Sequence, residues 1–224
     1  MMRLSGCFFS LVFSCVALLP SQVVGQSMYY EDAQFHSMAA DHEVIAVLPL
    51  DVMVKWTPKE LRDTAPELLL RMEDAKGLDI QSYLTSWYLS RKEKRHWAVA
   101  IQAPHVTNAL LIQNGLALDS LAAYTPMQLS AKLGVDAVIL GSFKTGAPVS
   151  RELGIVLNLI FLWTPGSPEW AQMDLSLYDA ETGILMSNYK KFQDARMWHS
   201  SDAMINALMR KASRKTDYPR QKSE

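Results

Sequence analysis

Five histidines and a small number of carboxylates are the residues whose chemistry could support metal binding or acid–base catalysis. No two histidines lie four residues apart, so the helical zinc signature is absent. Asp41, His42 and Glu43 are adjacent, but neighbours in an extended segment point to opposite faces, which disfavours one shared metal ion. The sequence predicts no metal site among its histidines, which are His36, His42, His96, His105 and His199.

Motifs for nucleophilic catalysis and for nucleotide binding are also missing. The chain contains no Gly-x-Ser-x-Gly elbow, no phosphate loop and no Gly-x-Gly-x-x-Gly. Ser142, after Gly141 at the end of a predicted strand, is the nearest candidate nucleophile, but no base is paired with it. Asp179 and Glu181 are explained by a turn. We therefore predict no catalytic residue and no cofactor, and interpret the chain as a non-enzyme.

The first 25 residues have the pattern of a secretory signal peptide. Arg3 is the only charge before Glu31, an apolar stretch covers 4–19, and small residues at 23 and 25 predict cleavage before Gln26. The apolar stretch is shorter than the roughly 20 residues of a membrane-spanning helix, although an uncleaved anchor remains an alternative. Cys15 ends a segment similar to a lipobox, so lipidation there is the alternative that would tether the protein to a membrane.

Composition limits the classes of partner and of stabilising group. The net charge of −1 gives no electrostatic case for binding nucleic acid. Both cysteines, Cys7 and Cys15, fall within the predicted signal, so disulfides and thiolate metal sites are excluded from the mature chain. With 49% hydrophobic residues, the roughly 200 mature residues can form one large domain.

The elements up to residue 144 alternate between strands and helices. Strands are predicted at 44–50, 97–102 and 135–144, and capping boxes at 57–60 and 125–128 begin two helices. A further helix covers 106–114, and Gly77 is expected to divide the helical region before residue 95. A helical face is formed by Ile80, Tyr83, Leu84, Trp87 and Tyr88. This order predicts parallel strands joined by crossovers.

The last third has a different pattern. Alternation from Met173 to Leu177, a turn at 179–183 and a returning strand to Lys191 predict an antiparallel hairpin, followed by an amphipathic helix over 202–209. Residues 26–42 are expected to form a flexible lead-in and 216–224 a polar tail. The predicted fold class is α/β (α+β): one domain over 43–215, with a mixed sheet of five to six strands and helices packed on it.

An apolar insert at about 146–170 interrupts this pattern. Nine residues from Ile155 contain one polar member, too few for a membrane helix and without the alternation of a lipid-facing strand. Core packing explains such a run, and so does an exposed surface for partners or membrane. We nominate it as the candidate interaction surface, with Lys144–Ser150 second; its residues are Ile155, Leu157, Leu159, Phe161 and Trp163.

Several short segments resemble a known superfamily in their residues and their order. They are Val44–Pro49, Thr107–Leu111, Thr125–Leu129, Leu133–Gly141 and Tyr178–Gly183, and a last segment, Leu208–Lys215, has a separate resemblance. The first five carry the likeness to the superfamily. They resemble the envelope superfamily of the CsgG-type curli-secretion channel subunit, the TolB amino-terminal domain and the lipoprotein activators of penicillin-binding proteins. The last segment is similar to uncharacterised exported proteins of the Bacteroidetes. The resemblance implies helices on a mixed sheet, protein–protein contact in a Gram-negative envelope, and no catalytic residues.

Export and this resemblance together predict a non-enzymatic periplasmic protein–protein interaction module that assists assembly or regulation of an envelope complex. Its partners are expected to be envelope proteins or further copies of itself. One alternative is a membrane-associated oligomer related to a secretion channel, with membrane contact through 154–163 or a lipidated Cys15. Only one short apolar run replaces the two long hairpins of such a channel, which argues against a pore. A hydrolase acting on envelope material is the second alternative.

Overall fold

The computed structural model describes residues 26–146, 170–194 and 201–220, and the statements that follow concern these residues. They form seven strands, six α-helices and one 3₁₀-helix. In chain order these are β1 Ser27–Glu31, α1 Phe35–Ala40, β2 Val44–Val47, β3 Asp51–Lys55, α2 Pro58–Asp63, α3 Pro66–Arg95, β4 Ala100–Ile101, α4 Pro104–Gln113, the 3₁₀-helix Leu118–Ala123, α5 Pro126–Leu133, β5 Ala137–Gly146, β6 Trp170–Asp179, β7 Leu185–Asp194 and α6 Ser201–Ala212.

All seven strands belong to one mixed sheet. The order is β1-β7-β6-β5-β2-β4, and β3 also pairs with β5. The pairs β2–β4, β2–β5 and β3–β5 are parallel, whereas β5–β6, β6–β7 and β1–β7 are antiparallel. The predicted fold class is confirmed, including the parallel first part and the antiparallel hairpin near the end of the chain.

The predicted strand at 44–50 is shorter than expected because Pro49 interrupts it. β2 ends at Val47, and β3 resumes at Asp51 along the same neighbour, β5. Val47 pairs with Ile139 and Asp51 pairs with Ser142, so the β2–β3 side has one residue more than β5 over this stretch. The extra residue makes a local bend of the kind that bulges produce. A proline, which has no N–H to donate, is tolerated at such a point.

Gly77 does not divide the long helix as predicted. Helix α3 runs without interruption from Pro66 to Arg95. A Cβ added at Gly77 would lie 2.3 Å from the carbonyl oxygen of Leu50, so the glycine is needed for close contact between α3 and the β2–β3 bend. The amide of Leu50 also donates to the carbonyl of Gly77, with 3.4 Å between nitrogen and oxygen.

The predicted helix caps are confirmed. Thr57 and Thr125 each accept a bond from the backbone amide three residues later, and the side-chain oxygens of Glu60 and Gln128 accept from the amides of Thr57 and Thr125. Gly134 ends α5 in the left-handed conformation, with φ at 64°. These positions could be predicted because a cap is a local interaction that depends on residues at fixed spacing.

Two end segments are more ordered than the sequence predicts. The expected flexible lead-in forms β1, which pairs with β7, and α1, whose Phe35 is buried in the core. In the expected polar tail, Thr216 and Tyr218 are buried. Both segments are held by contacts with distant parts of the chain, which are the backbone pairing with β7 and a few buried side chains. Such contacts leave no periodic signal in a short stretch.

The tail also shortens the second predicted strand. Only Ala100 and Ile101 pair with β2, whereas Trp97 forms an isolated antiparallel bridge with Arg220. The amide of Ala98 donates to the carbonyl of Pro219 at 3.0 Å. At residues 97–98 the backbone therefore bonds to the C-terminal residues and not to β2.

Helices cover the two faces of the sheet unequally. On one face α3, α6 and α1 contribute to a large core that extends across the sheet, with Ile80, Leu84 and Tyr88 from the predicted helical stripe. On the other face α4, the 3₁₀-helix and α5 build a smaller core with Ala46 of β2, Leu48 directly after β2 and Val138 of β5. None of the described helices is both long and apolar enough to span a membrane.

Candidate interaction surface

Residues that could do chemistry meet in one buried cluster, at the end of the β6–β7 hairpin. His42, from the segment before β2, lies between Asp179 and Tyr218. Its Nε2 is 2.9 Å from Asp179 Oδ1, and its Nδ1 is 3.2 Å from the Tyr218 hydroxyl oxygen. Asp179 also accepts bonds from the amide and hydroxyl of Thr182. The sequence analysis missed this cluster, because its members are 137 and 176 residues apart in the chain.

The hydrogen bonds and pKa shifts of this cluster suit a structural role better than a catalytic one. The two ring nitrogens of His42 face Asp179 and the Tyr218 hydroxyl, so both have a hydrogen-bond partner. Burial raises the pKa of Tyr218 well above its ordinary value, and nearby Tyr88 and Asp179 act in the same direction, so the phenol keeps its proton. Burial opposes ionisation of Asp179, but the bonds from Thr182 and His42 outweigh it and lower the pKa of that carboxyl.

Low exposure limits what this Asp–His–Tyr cluster can do. His42, Asp179 and Tyr218 are 8%, 5% and 2% exposed. A reacting group must reach its substrate within hydrogen-bond distance, and these side chains instead contact one another. The cluster joins the segment before β2, the hairpin turn and the C-terminal residues.

The other candidates for chemistry do not converge. Ser142 lies within β5, not at its end, in register between Asp51 of β3 and Asp174 of β6. Glu181 follows Asp179 in the hairpin turn, as expected. In the part of the chain that the structure describes, no three His, Cys, Asp or Glu side chains are grouped closely enough to hold a metal ion.

Two small cavities lie among the described residues. A cleft of about 90 Å³ lies at the β2–β3 bend between Pro49, Leu70 and Glu73. A second space, of about 10 Å³ and lined in part by Tyr29 and Tyr88, has room for about one water molecule. Pockets for small organic ligands typically measure about 300–1,000 Å³. Neither cavity is large enough for such a ligand.

The most extensive surface feature is one sheet face beyond the smaller core. Here α4 and α5 cover β2, the beginning of β5 and the end of β6 at Tyr178. Within the described ranges no helix covers the same face of the rest of β6, of β7 or of β1. Along β6 every second residue is partly exposed and the others are buried, as expected when one face is packed and the other is not. We call this surface the open face; it comprises Met28, Tyr30, Asp51, Met53, Lys55, Ser142, Lys144, Trp170, Gln172, Asp174, Ser176, Asn188, Lys190 and Phe192.

The centre of the open face is polar and internally bonded. The side-chain amide of Asn188 donates to Asp174 at 2.6 Å and to the hydroxyl of Ser176 at 2.9 Å. Lys190 lies 3.4 Å from the same Asp174 carboxylate. These cross-strand bonds orient the side chains of β6 and β7 before any partner binds. A surface of this kind can offer fixed hydrogen-bonding groups to another molecule.

Apolar side chains flank this polar centre along the outer strands. Met28 is 69% exposed and Tyr30 47% exposed, on adjacent outward positions of β1. At the open end of the hairpin, away from its turn, Trp170 stacks on Phe192 with ring centroids 6.2 Å apart and planes inclined by 16°. Exposed aromatic and methionine side chains are enriched at protein–protein interfaces. The open face therefore has the polar and apolar composition of a contact surface.

The surface nominated from sequence is a different one. The five apolar residues at 155–163, and Cys15 as a lipidation site, lie outside the described residues, so those hypotheses stay predictions. Of the second choice, Lys144–Ser150, the structure places 144–146 in β5, with Lys144 on the open face. In the sequence, the alternation of apolar and polar residues along β6 indicates that one face of the strand is uncovered. It does not indicate which face the helices cover.

Comparison with known proteins gives only distant likenesses. No protein-family model matches the chain, and no curated protein matches it. It is similar to a dodecamer of PelC from Paraburkholderia phytofirmans, at 10% identity over 85% of this chain and 96% of that one, with a TM-score of 0.46. It is also similar to lipoprotein GNA1162 from Neisseria meningitidis, at 14% identity over 77% and 96% of the two chains, with a TM-score of 0.45.

A further similar structure is the C-terminal domain of LpoB from Escherichia coli, at 14% identity over 68% of this chain and 82% of that one, with a TM-score of 0.32. All three TM-scores are below 0.5, which is too low for an inference about function. The resemblance to the CsgG-type and TolB-type superfamily stays a prediction, and the open face is argued from its own residues.

Proposed function

We propose that this protein is a non-enzymatic interaction module of the bacterial envelope and that it binds a protein partner through the open face. The observation that supports this most is the uncovered sheet face itself, with its bonded polar centre around Asp174 and its exposed apolar side chains on β1. Contiguous surfaces of this kind mark interaction sites in soluble domains.

The partner is expected to recognise both parts of the surface. The Asn188, Asp174 and Lys190 side chains supply donors and acceptors in fixed positions, which favours one orientation of a partner over others. Met28 and Tyr30 supply apolar area that a partner can bury. The proposal therefore expects loss of binding when the apolar residues are changed, and reduced selectivity when the polar centre is changed.

The location in the envelope is part of the proposal and comes from the sequence. The apolar stretch over 4–19 and the small residues before Gln26 are typical of a secretory signal. A periplasmic protein with Gln26 as its first residue would carry β1 directly at its N-terminus. Lipidation of Cys15 would instead tether the same strand to a membrane by a short linker.

Site-directed photo-cross-linking tests the proposed surface. A photoreactive phenylalanine derivative replaces Tyr30 in one variant and Ile112 in another, both in the full chain expressed in the producing cells. Ile112 is the matched control, because it is also apolar and is 76% exposed, but lies on α4. We expect a discrete cross-linked protein product at Tyr30 and none at Ile112. Equal labelling at both positions, or none at Tyr30 in a folded protein, would contradict the proposal.

A further inference from the structure

The edge of β1 is the feature from which a specific partner can be inferred. β1 is the outermost strand on one side of the sheet, and all five of its residues are exposed. Its pairing with β7 includes hydrogen bonds from the amide of Phe192 to the carbonyl of Gln26 and from the amide of Asp32 to the carbonyl of Met186. Even-numbered residues of this segment therefore direct their backbone groups toward β7.

The odd-numbered residues direct theirs outward. In an antiparallel pair, hydrogen-bonded and non-hydrogen-bonded positions alternate. Ser27, Tyr29 and Glu31 consequently present three N–H and three C=O groups at the outer edge, where the described residues provide no further strand. A row of this kind is a template for another extended segment.

The side chains of β1 do not protect this edge in the usual ways. Charged side chains (lysine above all), proline, bulges and very short strands are the devices that keep natural edges from pairing. β1, with the sequence Ser-Met-Tyr-Tyr-Glu, contains no lysine or proline, and its one charge, Glu31, is at its last position. The opposite edge strand, β4, has only two residues, and the chain beside it is bonded by Pro219 and Arg220. β3 also has one side without a strand partner, but there the amide of Val54 donates to the Glu73 carboxylate, and the strand ends in Lys55. Among the described strands, β1 therefore has the most accessible edge for pairing.

We propose that β1 pairs antiparallel with β1 of a second copy of this chain, about a two-fold axis at Tyr29. This inference rests on the proposed function, because Met28 and Tyr30 of the open face lie in the contact. The register follows from the backbone. Placing Tyr29 opposite Tyr29 of the second copy sets Ser27 opposite Glu31. Each residue whose backbone N–H and C=O point to the outer edge then lies opposite another such residue. The outward N–H and C=O groups of Ser27, Tyr29 and Glu31, six on each strand, are then all hydrogen-bonded. A shift of the register by one residue would leave all of them unpaired.

The side chains agree with this register. Met28 of one copy lies beside Tyr30 of the other on the open face, and the two-fold axis creates this apolar pair twice. Sulfur–aromatic contacts of this kind are favourable. Glu31 is the only charge on β1, and it meets Ser27, so no like charges are opposed. Tyr29 folds back on its own chain, where its hydroxyl donates to the carbonyl of Lys215 at 2.6 Å.

The contact is small, so the dimer is expected to be weak. It involves five residues from each copy, compared with about 20–30 residues a side in a standard stable interface. The two open faces become continuous across the joined sheets, which gives a partner a surface twice as wide. Dimerisation is therefore expected to depend on concentration and to increase when the protein is held at high local density.

Disulfide cross-linking tests the register directly. Full chains with Cys7→Ser and Cys15→Ser receive Met28→Cys in one preparation and Tyr30→Cys in another. Residues directly opposite at a non-hydrogen-bonded position have Cα atoms about 4.5 Å apart, within the range for a disulfide, whereas the diagonal 28–28 and 30–30 separations exceed about 7 Å. We expect oxidation of the mixed preparations to give covalent dimer at least about tenfold faster than either variant alone.

Two further variants complete the test. Tyr29→Cys, on the two-fold axis, is expected to cross-link with itself, and Ile112→Cys, which is more exposed, is expected not to. A mixture of Met28→Cys and Tyr30→Cys that is no faster than the separate variants would overturn the register. Equal cross-linking at Ile112 would overturn the specific dimer. If β1 variants instead cross-link to a different protein in the producing cells, the dimer is wrong and the proposed function stands.

Discussion

The two parts of the sheet differ in how many of their faces helices cover. β2 lies between the two cores, and three of its four residues are buried regardless of the face to which they point. β6 also pairs with β5, on its other side, but the residues of β6 alternate strictly between buried and partly exposed. A near-continuous apolar run belongs to a strand covered on both faces, and alternation belongs to a strand covered on one. Stability and interaction are therefore assigned to different parts of one sheet.

Substitutions in the two parts of the sheet are expected to separate stability from binding. We expect substitutions where helices cover both faces of the sheet to lower the free energy of unfolding. The same holds for the Asp–His–Tyr cluster, which joins the hairpin to that region. Changes on the open face are expected to leave that quantity almost unchanged and to affect association instead. The predictions below run from the largest expected change in stability to the smallest.

Gly77→Ala is expected to cause the largest loss. Its Cβ would lie 2.3 Å from the Leu50 carbonyl oxygen, which is backbone and cannot rotate away, so α3 or the β2–β3 bend must move. We expect the free energy of unfolding, measured with urea, to fall by roughly 3 kcal/mol. Gly115→Ala is the control, since nothing lies within 4 Å of its Cβ and only its positive φ opposes the change, at about 1 kcal/mol. Equal losses in the two variants would contradict the close contact.

Asp179→Asn tests the buried cluster. The variant replaces a charged acceptor for bonds from His42 and Thr182, so we expect a loss of about 2 kcal/mol at pH 7. Asp174→Asn, a partly exposed carboxylate on the open face, is the control and is expected to lose less. Urea denaturation of both variants measures the difference, and a larger loss at Asp174 would refute the role of the cluster.

The same cluster predicts a pH dependence. The pKa of Asp179 is lower in the folded protein than the ordinary aspartate value, because the hydrogen bonds from Thr182 and His42 outweigh its burial. Its stabilising contribution is complete above the unfolded pKa of about 3.9 and is lost as the pH falls through the lower folded pKa. The stability difference between the wild type and Asp179→Asn should therefore shrink on acidification below about pH 4. A difference that grows on acidification would have the wrong sign.

Thr125→Ala is expected to have a moderate effect. The hydroxyl of Thr125 accepts from the amide of Gln128 at 3.2 Å at the start of α5, a helix of the covered part. Loss of such a cap typically lowers the free energy of unfolding by about 1 kcal/mol. Thr125→Ser, which keeps the hydroxyl, is the matched control. If both variants lose the same amount in thermal or urea unfolding, the cap is not the cause.

Met28→Lys combined with Tyr30→Lys is expected to change stability least. Both side chains project from the open face of an edge strand and are largely exposed, so the free energy of unfolding should stay within about 0.5 kcal/mol of the wild type. The same measurement on Ile112→Lys provides the control. A loss as large as that of Asp179→Asn would show that β1 belongs to the core and not to a binding surface.

The sequence predicted the features that depend on local pattern. The two capping boxes, the hairpin from Met173 to Lys191 and the closing helix depend on residues at fixed short spacing, and each is present. The order of strands and helices up to β5 was sufficient for the parallel pairing. These features made the fold class predictable without any information on long-range contacts.

Features that depend on distant contacts could not be predicted. The role of Gly77 requires knowing that Leu50 passes beside it, and the ordering of 26–42 requires the partner strand β7, about 160 residues away. The cluster of His42, Asp179 and Tyr218 likewise has no local signal. The open face could not be located because the alternation in β6 gives the two faces but not which one the helices cover.

The most direct test of the open face as a binding surface is to measure the size of the complex that contains this protein. The complex is extracted in mild detergent from the cells that make the protein. Three chains are compared by size-exclusion chromatography: the wild type, Met28→Lys with Tyr30→Lys, and Ile112→Lys. We predict that the wild type and Ile112→Lys elute together as a larger complex, and that the double variant elutes as a folded monomer. A double variant that stays in the same complex as the wild type would contradict the assignment of the open face as the binding surface.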